Sequence, residues 1–268
     1  MLVTVLDPRL TPARPDLAAA HLRGQVEAAR FAEPAMRVVT DPIAPVRREP
    51  RHDAALDTEA LMGERVAIYE TTDEGWAWGQ LESDGYVGWL PAGALGAPRA
   101  APTHRVSALR TLVFPGPAIK LPPVTALPFG ATVAVERIDG PFAVAACGFI
   151  PLRHLAPLAA HETDWVAVAD KFLGTPYLWG GKTGLGLDCS GLVQVSLAVC
   201  GIPCPRDSDM QERTLGKPVD LAALQRGDLV FWKGHVAIAR DRFRRRFDRN
   251  RHVEAVGMDE RLGVARDC

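Results

Sequence analysis

Over most of the first 160 residues, apolar and polar positions alternate in short runs broken by turn residues. The runs RVAIYE, WAWGQLE and YVGWLP, and later LRTLVF, ATVAVERI and FAVAACGFIPL, are rich in β-branched and aromatic side chains. Such runs, bounded by Gly, Pro and Asp, predict short strands that each bury one face. The pattern occurs twice. Gly63-Glu64 leads a strand that is followed by EGWAWGQLESDGYVGWLPAGAL, and Gly130 leads ATVAVERIDGPFAVAACGFIPLRHL. Each copy runs strand, turn, strand, tight turn, strand, and leaves through a P-x-x-x-L exit, so a duplicated β module is expected.

The flanks read differently. LAAAHLRGQVEAARFA repeats apolar residues at helical spacing and predicts an amphipathic helix within residues 1–35. Near residue 161 the pattern changes again. TDWVAVADKFLG puts Trp165, Val168, Ala169 and Phe172 on one helical face, with Gly174 as the stop. The Asp-Cys-Ser-Gly turn opens a periodic apolar stretch from Leu192 to Val199, which places Cys189 at a helix start. RGDLVFWKGHVAIARD gives two strands joined at Lys233-Gly234. The expected architecture is α+β: a helical segment at 1–35, β modules at 36–100 and 101–160, and a helix-and-sheet domain at 161–268.

Composition narrows the function classes. The chain has 268 residues, 47% hydrophobic and 24% charged, with a net charge of −1. That is ordinary for soluble globular protein, and nothing global attracts nucleic acid or an anionic membrane. No apolar run approaches the roughly 18 residues of a membrane span. The start, MLVTVLDPRLTPARPD, lacks the basic segment and apolar run of a signal peptide, so the cytoplasm is the expected location, with periplasm or envelope as the alternative. The five cysteines, Cys147, Cys189, Cys200, Cys204 and Cys268, are odd in number and irregularly spaced, which argues against a disulfide framework. Cys200 and Cys204 have no matching pair at zinc spacing, so neither metal nor other cofactor is expected. Cys147, Cys200 and Cys204 read as small buried apolar residues.

Cys189 is different. A helix N-terminus carries partial positive charge and free N–H groups, which favour a thiolate. His235 opens the apolar strand HVAIA, next to Gly234, whose lack of a side chain would allow close approach. A nucleophile on a helix with an imidazole base on a strand is a workable catalytic pair.

The motifs around these two residues, G-T-P-Y-L-W-G-G, then D-C-S-G-L, G-D-L-V-F and H-V-A-I, resemble those of the NlpC-type cell-wall cysteine peptidases, a papain-like family. The resemblance spans about 163 to 240. The two β modules, with DGYVGW in the first, resemble bacterial SH3-like barrels that precede such domains in γ-D-glutamyl-L-diamino acid endopeptidases. The resemblance implies hydrolysis of peptidoglycan stem peptides through an acyl-enzyme, with Cys189 as nucleophile and His235 as base. It implies that Tyr177 donates toward the oxyanion, together with the Cys189 N–H, and that Ser190, Asp207 and Ser208 lie along the substrate, with Arg206 beside them. It also implies that Glu64 and Tyr86 of the first β module hold the free N-terminal amine of the peptide.

The tail departs from the family pattern. A third polar residue, usually a His on the strand after HVAI, should orient the base. The corresponding stretch here, RFRRRFDRNRHVEAVG, puts Phe247 near that position. His252 is the only later histidine and becomes the candidate, with Asp248 and Asn250 as polar alternatives. For His252 to serve, Val253–Val256 must return alongside the HVAIA strand, with the Arg-rich residues 242–251 exposed and poorly ordered. Two origins fit this stretch: a genuine Arg-rich surface, or a shifted reading frame after about Asp241. A peptidase of cell-wall peptides is the leading expectation. A catalytically impaired protein that binds such peptides is the alternative. The paired β modules argue against a papain-like amidase or acyltransferase acting on an unrelated substrate.

Overall fold

A computed structural model of the chain describes residues 6–240 and the backbone of 254–257. His252, Phe247, Asp248, Asn250, Cys268 and the Arg-rich residues 242–251 lie outside the described residues. The chain divides into two compact units, Met1–Leu158 and Ala159–Cys268.

The first unit corrects the expected N-terminal helix. In its place are strand β1 (Leu17–Ala19), a 3-10 turn at Ala20–Leu22, and strand β2 (Arg30–Ala32), which pairs parallel to β1. Pro12 and Pro15 disfavour helix before Leu17, and Gly24, at φ 81, turns the chain just after Leu22. Ala19, Leu22 and Val26 are spaced as on a helix but pack, with Leu17, against Tyr69, Trp76, Trp78 and Trp89. Tertiary packing on that aromatic face overrides local propensity. Arg14 completes the cover. Its guanidinium lies 4.3 Å from the Trp78 ring centre and 4.8 Å from that of Trp89. It also pairs with Asp16 and Glu70.

The first β module is a seven-stranded sheet. Its strands are β3 (Ala35–Val39), β4 (Ile43–Arg47), β5 (Leu56–Leu61), β6 (Arg65–Thr71), β7 (Trp76–Leu81), β8 (Val87–Pro91) and β9 (Leu95–Gly96). They lie in the order β5-β4-β8-β7-β6-β3-β9. Next come β10 (His104–Val106), β11 (Arg110–Val113), β12 (Thr125–Pro128), β13 (Thr132–Val133), β14 (Val135–Asp139), β15 (Phe142–Ala145), β16 (Gly148–Pro151) and β17 (Leu155–Pro157). The second set repeats the pairings of the first. β10 pairs with β13 and β17 as β3 pairs with β6 and β9, and β15 lies between β14 and β16 as β7 lies between β6 and β8. The P-x-x-x-L exits are the 3-10 turns Ala92–Ala94 and Leu152–His154, each preceded by its proline. Gly63 and Gly130 hold the matching turns at φ +87 and +86. At Gly63 a Cβ would sit 2.1 Å from Thr132 Oγ1, so the close approach of the two strand sets also excludes a side chain there.

The second unit contains helix α1 (Trp165–Asp170), the hairpin β18 (Lys182–Thr183) and β19 (Gly186–Leu187), and helices α2 (Cys189–Ala198) and α3 (Ser208–Thr214). Strands β20 (Lys217–Pro218), β21 (Leu229–Trp232), β22 (His235–Ile238) and β23 (Glu254–Gly257) follow. Trp165 and Val166 of α1 and Val193 and Leu197 of α2 pack with Leu229, Phe231 and Val236 of the sheet into one core. The β21–β22 hairpin has the expected two-residue loop, with Gly234 at φ 76. Nothing lies within 4 Å of a Cβ built at Gly234, so the glycine serves the turn and not a close approach. The sheet order is β20-β23-β21-β22, which corrects the expected place of the returning strand. β23 pairs antiparallel with β21, Leu229 opposite Val256 and Val230 opposite Ala255, one strand away from HVAI. Leu229, Val230 and Phe231 are all buried, as suits a strand with neighbours on both sides, whereas His235 on β22 is exposed.

Candidate active site

The start of α2 is held by one buried carboxylate. Asp188 is the N-cap, and its Oδ1 accepts from the Gly191 N–H at 2.6 Å. Oδ2 accepts from the Gly180 N–H at 2.9 Å. Arg206 donates to both oxygens, from Nη1 to Oδ1 at 2.9 Å and from Nη2 to Oδ2 at 2.7 Å. Arg206 is 1% exposed and also donates to Ser190 Oγ at 3.0 Å. Gln211, on α3, donates to the Ser190 and Pro205 carbonyls at 3.0 and 2.9 Å. A fork-to-fork Arg–carboxylate pair with its remaining lone pairs satisfied is the geometry that makes a buried charge pair tolerable. It fixes the residue before Cys189 in position and direction. The packing is too tight for side chains: a Cβ on Gly191 would lie 2.5 Å from the Gly181 carbonyl oxygen.

Cys189 is the first residue of α2, so the helix provides no acceptor for its N–H. The thiol is half-buried. It lines a cleft of about 440 Å³ together with Tyr177, Asp188 and His235. The other walls are the end of α1, the turn Phe172–Thr175, Leu187, Leu192, the rest of β22 and Arg240. Tyr177 is held beside Leu187, two residues before Cys189, by an isolated parallel bridge. The residue is 60% exposed. Burial first, then the charges of Cys189 and Asp188 and a hydrogen bond to Cys189, push its phenol above the ordinary value. The phenol therefore keeps its proton at neutral pH and remains a donor beside the thiol. His235 stands at the mouth of β22, its ring 5.7 Å from that of Trp232, its partner across the hairpin.

The other expected residues fall elsewhere. Ser190 is buried and its hydroxyl donates to Asp188 Oδ1 at 3.2 Å, so it is committed to the scaffold and not to the cleft. Asp207 and Ser208 open α3, with Asp207 as N-cap, and do not line this cleft. In the first unit, Glu64 accepts from the Leu61 N–H at 3.2 Å and from Ser83 Oγ at 3.0 Å, bracing the turn around Gly63. Tyr86 is 3% exposed and sits in the module core with Val66, Ile68 and Leu81. The pivotal Asp188–Arg206 pair was not legible as such. Asp188 stood only as part of a motif and Arg206 as a neighbour of Asp207, and nothing in C-P-R-D-S marks an arginine that will be buried. Cys147, Cys200 and Cys204 are half-buried and pack on the edges of the two cores, short of the full burial expected.

Comparison with known proteins gives this geometry a setting. Residues 174–259 match the NlpC/P60 family, and residues 46–95 match the bacterial dipeptidyl-peptidase SH3 domain. The chain is 35% identical over 99 residues to a dipeptidyl-peptidase 6 of Lysinibacillus sphaericus, covering 34% of this chain and 36% of that protein. It is 29% identical over 211 residues to a gamma-D-glutamyl-L-lysine dipeptidyl-peptidase of Bacillus cereus, covering 66% of this chain and 60% of that protein. A protein of the same name from Bacillus subtilis is 29% identical over 201 residues, 67% of this chain and 65% of its own length. The chain thus spans from about a third to just under two thirds of the length of these relatives. The crystal structure of an NlpC/P60 family protein from Bacillus cereus superposes with a TM-score of 0.66 at 21% identity, over 76% of this chain and 88% of that one, and shares the fold. An SH3-like β region followed by a papain-like α+β domain is therefore the architecture, and residues 174–259 carry an NlpC/P60 family domain behind a bacterial SH3 domain of the dipeptidyl-peptidase type at residues 46–95.

Proposed function

We propose that the chain is a cysteine peptidase that hydrolyses peptidoglycan stem peptides at the bond between γ-D-glutamate and the diamino acid. The observation that carries this reading is the grouping of Cys189, Tyr177 and His235 around one cleft, with Cys189 at a helix start anchored by the Asp188–Arg206 pair. In this mechanism the Cys189 thiolate attacks the γ-carbonyl of D-glutamate and His235 supplies the proton to the leaving amine. Tyr177 and the Cys189 N–H donate to the oxyanion. Water, deprotonated by His235, then releases the acyl group and restores the thiol. His252, or Asp248 or Asn250 in its place, holds the other ring nitrogen of His235 on this reading. Residues 104–157 act as a second SH3-like module, a view supported by their repeated strand pairings.

Peptides with an unblocked N-terminus fit the reading, since relatives are named dipeptidyl-peptidases. Glu64 and Tyr86 are assigned the amine by motif, with Asp207 and Ser208 along the acyl portion. Recycling of wall peptides in the cytoplasm suits such a substrate. The test is incubation of purified protein with L-Ala-γ-D-Glu-diaminopimelate and chromatography for released L-Ala-γ-D-Glu. Intact peptide after prolonged incubation would count against the reading. A second reading, a protein that binds wall peptides without turning them over, is favoured by one observation, the Arg-rich sequence where the family carries its third catalytic residue.

A further inference from the structure

The cleft beside Cys189 has a charged end that the chemistry above does not use. Asp170 is the last residue of α1, and Arg240 follows shortly after β22. Both line the cleft, whose walls between them and Cys189 are mostly apolar. Arg240 Nε lies 2.9 Å from Asp170 Oδ1 and donates to Oδ2 at 3.1 Å. Among the described residues its two terminal nitrogens make no bond, which leaves four N–H donors for a ligand. Asp170 also stands against local preference, because a carboxylate in the last turn of a helix faces the negative end of the backbone dipole. Both side chains are partly exposed, so their pairing contributes little to folding stability. A charge pair that is locally disfavoured, nearly neutral for stability and placed at the end of an apolar trough suggests a binding role.

The place of this pair in the cleft suggests which part of the substrate meets it. By motif, the acyl portion runs toward Asp207 and Ser208, which do not line the trough. The trough between the end of α1 and β22 is then left for the amine-side residue, the diamino acid. We propose that Asp170 and Arg240 form the subsite for the far end of that diamino acid's side chain, and that they select diaminopimelate over lysine. This rests on the hydrolase reading for its substrate class. The side chain of diaminopimelate is a short apolar stem ending in an ammonium and a carboxylate, both charged at neutral pH. The carboxylate is complementary to the open fork of Arg240 and the ammonium to Asp170. Lysine brings the ammonium alone. Arg240 then gains no partner and repels the incoming charge.

The experiment separates this subsite from the reaction. Calorimetry on the Cys189→Ala protein compares L-Ala-γ-D-Glu-meso-diaminopimelate with L-Ala-γ-D-Glu-L-lysine at neutral pH. The expected preference for the first is roughly ten- to hundredfold, the range of one charge-assisted bond. Adding Arg240→Gln should bring the ratio close to one, and Arg240→Lys should leave it intermediate. Asp170→Asn should weaken both peptides. A merely structural role for Arg240 would lower both affinities together and leave the ratio where it was. Equal binding of the two peptides by the Cys189→Ala protein, binding of neither, or a ratio unchanged by Arg240→Gln would each overturn the subsite. Turnover is read separately on the unmodified protein. Failure to release L-Ala-γ-D-Glu while the binding preference stands would sink the hydrolase reading and leave the subsite intact.

Discussion

At the scale of single residues, the site separates groups that do chemistry from groups that hold them. On the proposed mechanism Cys189 belongs to the first kind: Cys189→Ala should abolish hydrolysis, and iodoacetamide should label Cys189 well before Cys147, whose thiol burial pushes up. Mass spectrometry of the labelled peptides reads the order of reaction, and undiminished hydrolysis in the alanine variant would remove the nucleophile as assigned. On the same mechanism Tyr177→Phe deletes the proposed oxyanion donor and little else, because the ring is mostly exposed. It should lower kcat on the order of 10²-fold with a much smaller change in KM. Arg206 belongs to the second kind. Arg206→Met would leave the Asp188 carboxylate buried without its partner, and denaturant melts should show a loss of roughly 3–5 kcal/mol. An intact melting curve with lost activity would instead place Arg206 in the chemistry.

At the scale of elements, side-chain caps hold the first two helices of the second unit. Asp188 starts α2, and Asp164 starts α1, accepting from the Ala167 N–H at 3.0 Å and from both Arg226 terminal nitrogens at 2.7 and 2.8 Å. Burial alone would raise the Asp164 pKa, but the bonds from Arg226 and Ala167 and the charge of Arg226 outweigh it and hold the pKa below its ordinary value of 3.8. A depressed carboxylate stabilises the fold above its unfolded pKa, and that contribution fades as pH falls through the folded value. Asn caps a helix as well as Asp does, so Asp164→Asn removes only the charge-assisted part. The expected loss is about 0.5–1 kcal/mol at pH 7, after allowance for solvent screening, and it should shrink as melts are taken below pH 3.8 and vanish only once the pH lies below the depressed folded value. A gap that persists in acid would assign the loss to packing. Element types were legible where the pattern was strong. The period-two runs became strands, DCSG opened a helix, and Lys233-Gly234 became a two-residue hairpin loop. The periodicity points to a helix at 1–35 because Ala19, Leu22 and Val26 have helical spacing, but these residues answer to an aromatic face contributed by residues 69–89. Local periodicity carries no record of a partner more than forty residues away.

At the scale of the whole molecule, competence turns on what orients His235. A papain-like base needs its second ring nitrogen held, because a free imidazole samples unproductive tautomers and orientations. β22 has one partner strand among the described residues, β21, and β23 lies on the far side of β21. The motif therefore reaches the base in full, while the group behind the base was legible only as a gap in the family pattern filled by arginines. The family match nonetheless continues to residue 259, through this stretch. If His252 holds His235, His252→Ala should lower kcat/KM by 10²-fold or more, toward the roughly 10⁴-fold loss seen when the orienting group of a triad is removed. Peptide affinity of the same variant should change little, since the residue touches the base and not the substrate. Hydrolysis unaffected by His252→Ala would assign the role to Asp248 or Asn250, whose alanine variants give the same readout. If all three variants match an already slow parent, the site is incomplete in this chain and the binding reading prevails. The coding DNA then tells the origin: a strand bearing a histidine in an alternative frame after Asp241 would mark a shifted frame, and its absence from both frames would mark the Arg-rich sequence as the protein's own.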